Sequence, residues 1–293
     1  MSLFSRLFSR WDNKSRQSDD ILVANSSIEN PLSLVVLFND NLSFNRHKLL
    51  KTLRKVDSSM KNIRLPSSIE QITDGVDTLV AWGQHIIKIV GFNAPCPSEI
   101  LQPCIENSQN TQEFKQQVSH HQSHIILYYV GFENDLVEQY VALTQFAVGF
   151  EHCDMSALIN AKAHQILATH VASALANEQQ GVYLLRNCLP LFFIGFVKFN
   201  VDHFDGVWMR TYGADAFGLP DLAILANGYE DSEKYMNMFN NLLLYLRDSG
   251  AAIQAGHTTE DTEGKKMLLR SPSAQESFLQ NGGIVLVMEY LVE

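Results

Sequence analysis

Between Thr211 and Leu222 the chain reads Thr-Tyr-Gly-Ala-Asp-Ala-Phe-Gly-Leu-Pro-Asp-Leu, with a β-like run before it and another apolar segment after it. Gly213 and Gly218 suit backbone conformations closed to residues with a side chain. Pro220 fixes its own φ and pushes Leu219 towards extended geometry. A loop so constrained is built to hold one shape, and shaped loops are where binding residues collect. Gly213, Gly218 and Pro220 are therefore read as setting its form. Tyr212 and Phe217 are candidate anchors for a partner, and Asp215 and Asp221 candidate orienting charges.

What such a loop can bind depends on the charge around it. The chain of 293 residues carries a formal net charge of −10, unevenly spread. Residues 202–263 hold eleven acids against Arg210, Lys234 and Arg247, a net of −8, whereas residues 1–18 hold four bases against Asp12, a net of +3. An acidic body repels phosphate backbones, so nucleic acid is not an expected ligand and a basic protein partner is. No apolar run approaches the ~20 residues needed to span a bilayer, and Arg6 and Arg10 interrupt what a secretory leader would need as its apolar region. Cytoplasmic residence is the expectation. Cys96, Cys104, Cys153 and Cys188 are widely spaced without a C-x-x-C pair, which reads as reduced structural thiols.

Residues 1–20 read as an amphipathic helix and a polar linker. Leu3, Phe4, Leu7, Phe8 and Trp11 share a helical face that docks on a protein surface in preference to a membrane. A first α+β unit is expected over 21–181. Its strands are Leu34–Phe38, the hairpin Thr78–Trp82 and His85–Val90, His124–Val130 and Ser156–Ala161. Its helices are Asn45–Val56, material within Glu99–Val118, Asp135–Phe150 and His164–Ala176. Gly181 and the stretch to Pro190 interrupt the pattern. A second unit over 182–293 offers Leu191–Val201, Gly206–Tyr212, Leu222–Ala226, the helix Ser232–Arg247 and closing strands at Lys266–Leu269 and Ile284–Val292. The fold class is α+β, with antiparallel or mixed sheets covered by helices and a ferredoxin-like order of elements in the first unit.

Catalytic signatures are missing from the sequence. His120-His121-Gln-Ser-His124 lacks the glutamate of an H-E-x-x-H metal motif and falls where helix gives way to strand. Asp202-His203-Phe-Asp205, with Asp221, could assemble a metal-assisted hydrolase, but aspartate and glycine at 202–206 are also simply turn residues. Cys153 follows His152, and adjacent side chains on a helix diverge, so no Cys–His pair is expected. No catalytic residue, metal ligand or cofactor is assigned.

Pro190–Val197, Tyr212-Gly213 and Phe217-Gly218-Leu-Pro-Asp221-Leu222 resemble the C-terminal signature of a bacterial family known only as a domain of unknown function. The resemblance implies a cytoplasmic bacterial protein encoded near secretion or toxin systems and transfers no catalytic residue. With the acidic body it favours a non-enzymatic interaction protein, such as an immunity or accessory factor of a type VI or contact-dependent toxin system. The alternative is the hydrolase built on Asp202, His203, Asp205 and Asp221.

Overall fold

Strand β1 (Ser33–Phe38) is apolar at almost every position because both of its faces are covered: Leu34, Val36 and Phe38 enter one core cluster, Val35 and Leu37 another. The computed structural model describes residues 22–66, 69, 75–261, 263–280 and 283–291. After β1, Asn45 caps α1 (Arg46–Val56) by accepting the Lys48 N–H, and the hairpin β2 (Val76–Trp82) and β3 (His85–Phe92) turns at Gly83. The region expected to be helical before His124 forms two helices, α2 (Ser98–Glu106) and α3 (Gln112–Ser119). Then come β4 (Ser123–Tyr129), α4 (Leu136–Ala147), a 3₁₀ segment at Val148–Cys153, and the hairpin β5 (Met155–Asn160) and β6 (Gln165–Ala168). These strands form one antiparallel sheet in the order β2-β3-β4-β1-β5-β6.

The fold class is α+β as read from the sequence, and the elements follow a ferredoxin-like order, but the strand order departs from that pattern. In a split βαβ unit the crossover returns β2 parallel to β1, and β3 lies between them. Here β4 lies beside β1, and three successive antiparallel pairings separate β1 from β2, so these two strands oppose each other. The chain does not cross straight back after α1. It first makes the 3₁₀ turn Ser58–Asn62 and the bridge from Arg64 to Ala81, and so enters β2 from the other end.

Three other expectations are corrected. His164–Ala176 is not one helix, because β6 occupies Gln165–Ala168 and α5 (Thr169–Asn177) begins only after it. Ile166 and Leu167 pack into different clusters, the alternation of a strand. Gly181 is not a break. It lies inside α6 (Gln179–Asn187), with backbone of Ala174 and Leu175 where a Cβ would go, so a side chain there would prise α5 and α6 apart. Leu191–Val201 is strand only from β7 (Gly195–Phe199). Pro190 sits in a 3₁₀ turn, and Asn160 Nδ2 donates to the carbonyls of Phe192 and Phe193 at 3.0 and 3.2 Å, holding that stretch out of the ladder.

The second sheet has the order β10-β11-β12-β9-β8-β7. It comprises β7, β8 (Val207–Tyr212), β9 (Asp221–Ala226), β10 (Thr258–Glu260), β11 (Lys266–Arg270) and β12 (Val285–Tyr290). Among the described strands only β9 and β12 pair in parallel; the long helix α7 (Ser232–Ser249) forms the connection after β9. Val207, Met209, Leu222, Ile224, Leu286 and Met288 join the same cluster as Val36, Leu127 and Leu158 of the first sheet and Phe239 of α7. One continuous core therefore lies under both sheets, and the expected boundary at 181/182 falls within α6.

Candidate functional site

The chain leaves β8 at Tyr212, turns through Gly213 (φ 87°), makes one 3₁₀ turn over Ala214–Phe217, reverses at Gly218 (φ 69°) and enters β9 at Asp221. Both glycines are left-handed, as the sequence requires. At Gly213 space also matters, because a Cβ would lie 2.9 Å from the Lys162 carbonyl oxygen.

The loop is latched from within. Asp221 Oδ1 accepts the Thr211 hydroxyl at 3.0 Å and the Ala214 N–H at 3.1 Å, and Thr211 Oγ1 accepts the Leu222 N–H at 2.8 Å. The other carboxylate oxygen faces Arg210 Nη2 at 3.6 Å. Arg210 is fully buried. Its Nε donates to the Thr211 carbonyl at 3.0 Å and its Nη1 to that of Leu279, which ends a 3₁₀ segment fixed by a Ser273–Glu276 capping box. Burial is the main influence on this guanidinium and lowers its pKa, while Tyr212 and Asp221 act in the opposite direction.

The first sheet braces the loop from outside. The Arg210 guanidinium lies 3.7 Å from the centroid of the Tyr212 ring, and the His164 ring stacks on Tyr212 at 4.3 Å. Two groups so close to one ring cannot share a face, so Tyr212 is sandwiched between a cation and an imidazole. Desolvation, and then Arg210, push the His164 pKa below its ordinary value, so the imidazole is neutral at neutral pH. His164 belongs to the β5–β6 turn, whose Lys162 pairs with Asp215 at 2.7 Å.

Of the four partner-binding candidates, Asp215 is exposed and Tyr212 half-buried. Phe217 turns inward onto Tyr140 of α4, which itself stacks on Phe193. Asp221 is only 2 % exposed, so its charge is spent inside the loop and does not reach the surface. Sequence reasoning missed Ile284, which is 70 % exposed although it immediately precedes a core strand. Its carbonyl accepts the Asp221 N–H at 2.9 Å, and Gly283 beside it backs onto Asp215. No pattern in the sequence separates Ile284 from the buried Val285. Leu3, Phe4, Leu7, Phe8 and Trp11 lie outside the described residues.

The remaining chemical candidates disperse. Asp202, His203 and Asp205 line an exposed turn with His203 at φ 77°, while Asp221 is held by Arg210. Among the described residues no three His, Cys, Asp or Glu side chains gather as a metal site. His121 is buried. Its Nδ1–H donates to the Val118 carbonyl at 2.7 Å and its Nε2 accepts the Cys96 N–H at 2.6 Å. His124 binds the Ala94 carbonyl through Nδ1 at 2.8 Å, so these two histidines fasten the turn before α2. Contrary to expectation, Cys153 Sγ and His152 Nε2 meet at 3.2 Å. The 3₁₀ segment ends at Cys153, with Asp154 left-handed at φ 63°, so the side chains are not splayed as they would be within an α-helix.

Residues 210–289 match the family model described as a domain of unknown function (DUF4261). The match begins at the buried Arg210 and takes in the loop, β9, α7 and β10 to β12, while the bracing residues Lys162 and His164 precede it. No match was found among curated proteins or among solved structures.

Proposed function

We propose that the chain is a non-enzymatic protein-interaction module whose loop between β8 and β9 meets a basic partner. It would act as an immunity or accessory factor does, by occupying a cationic surface of another protein. The observation that carries this reading is the rim of the loop. An exposed aliphatic side chain, Ile284, and an exposed carboxylate, Asp215, which pairs with Lys162, lie on two segments that meet where Gly283 backs onto Asp215, and the buried Asp221 latch fixes the backbone between β8 and β9. A rigid apolar anchor beside an orienting charge combines affinity with partner choice at little ordering cost. Eight of the eleven acids in 202–263 are exposed (Asp202, Asp205, Asp215, Glu230, Glu233, Asp248, Glu260 and Glu263), which supports electrostatic attraction of a cationic protein.

The test is affinity capture from cells that encode the protein, with wild type, Asp215→Lys and Ile284→Asp as parallel baits and quantitative mass spectrometry as readout. The reading expects a basic protein enriched by wild type and lost with both variants. Equal capture by all three baits would place any interface elsewhere.

A further inference from the structure

The 3₁₀ segment that ends at Cys153 packs on α1, whose cap residue Asn45 and first-turn Lys48 flank the thiol. Cys153 Sγ lies 3.2 Å from His152 Nε2, and the Gly149 backbone also acts on the imidazole. In the tautomer protonated at Nδ1, Nε2 is the free base facing the thiol. A nucleophile with a base within hydrogen-bond reach is the core of an activated nucleophile. The other thiols are placed differently. Cys96 and Cys104 are buried, and Cys104 Sγ donates to the Ile100 carbonyl at 3.4 Å. The half-buried Cys188 is influenced by burial and by the Leu191 backbone, with no imidazole among its influences.

We infer that Cys153 is a reactive thiol with His152 as its general base, and that it is this chain's site of modification by small disulfides. In the step, His152 Nε2 takes the Sγ proton and the sulfur lone pair forms a new S–S bond with one sulfur of the disulfide. The original S–S bond breaks, and its electron pair leaves on the second sulfur, which receives the proton from the imidazolium. Cys153 is oxidised and the released thiol is the reduced product. Oxidant and leaving group are both supplied by the disulfide.

The resting charges fit this division of labour. Burial pushes the Cys153 thiol up to about 11, although the Asn45 backbone and Lys48 favour the thiolate, so the sulfur rests protonated at neutral pH. Burial lowers the His152 pKa, so its base form is present at the same pH. An unassisted thiol of this kind reacts in proportion to its thiolate and gains about tenfold per pH unit up to its pKa. A thiol deprotonated by His152 in the transition state reaches a plateau once the imidazole is neutral.

The experiment treats the full folded chain with limiting oxidised glutathione and follows each cysteine by peptide mass spectrometry from pH 5 to 9. Cys153 should be modified first, at a rate that rises through the acid range and levels off once the imidazole is neutral. His152→Gln should slow Cys153 by roughly tenfold or more, without change at Cys188 and with an unchanged circular dichroism spectrum. Equal or faster modification of Cys188 would overturn the inference. So would a Cys153 rate that climbs steadily from pH 6 to 9, a result that needs no variant to be folded.

Discussion

Replacing Asp221 should loosen the loop and the sheet behind it together, and the structure sets the size of the effect. Asp221→Ala removes two acceptor contacts, leaving the Thr211 hydroxyl and the Ala214 N–H to find new partners in a buried place, and strips Arg210 of its counter-ion. Breaking a buried pair by removing one partner costs about 3–5 kcal/mol, because the remaining charge is neither solvated nor paired. The unfolding entropy is about 2 cal/mol/K per residue, or roughly 0.6 kcal/mol/K for a chain of this length, so ~4 kcal/mol lowers Tm by about 6–7 °C. Asp221→Asn keeps an oxygen for Thr211 and Ala214 and removes only the charge, so its loss should be smaller than that of Asp221→Ala. Arg210→Met relieves the uncompensated cation, so the double variant Arg210→Met/Asp221→Ala should be more stable than the two single losses sum to. The assay is thermal unfolding by circular dichroism for wild type, the single variants and the double variant. A Tm change under about 1 °C in Asp221→Ala, or strict additivity in the double variant, would show that the buried pair does not hold the loop.

Other expected outcomes follow from single features. Gly218→Val should destabilise by about 1–2 kcal/mol and Gly218→Asn by much less, since there is open space for a side chain and the cost is the left-handed φ of 69°; denaturant midpoints separate the two. Gly195→Ala should cost more than Gly218→Ala, because a Cβ at Gly195 collides with the Ala163 carbonyl of the β5–β6 turn. Burial holds His121 below the ordinary 6.5, and its neutral ring must accept the Cys96 N–H. The unfolded chain therefore takes up the proton first, so stability is complete above about pH 6.5 and is lost as pH falls below it. Tm measured from pH 7.5 down to 5 should drop, and His121→Gln should flatten part of that drop; a Tm that rises on acidification would contradict the assignment.

Strong periodicity makes parts of this molecule legible in the amino-acid sequence alone. Leu49, Leu50, Leu53 and Val56 sit on the buried face of α1, the hairpin turns at Gly83, and Gly213 and Gly218 take the left-handed angles their loop demands. What the sequence hides depends on contacts distant along the chain. Gly181 looks like a helix breaker until α5 lies against it, and the β5–β6 turn gives no sign that His164 and Lys162 meet a loop some fifty residues later. The loop's acids illustrate the same limit. Asp215 and Asp221 are alike in sequence, yet one is exposed beside Lys162 and the other is buried against Arg210. Helix type is hidden as well. Adjacent side chains diverge on an α-helix, but His152 and Cys153 end a 3₁₀ segment and meet.

The central claim, that the acidic rim of the loop between β8 and β9 receives a basic protein, is tested most directly by the association rate with the captured partner, followed by surface-based kinetics from low to high salt. The account predicts a rate that falls steeply as salt rises for wild type and is slower and less salt-dependent for Asp215→Lys, with an unchanged circular dichroism spectrum. A rate indifferent to salt in the wild type, or identical kinetics in the variant, would contradict it.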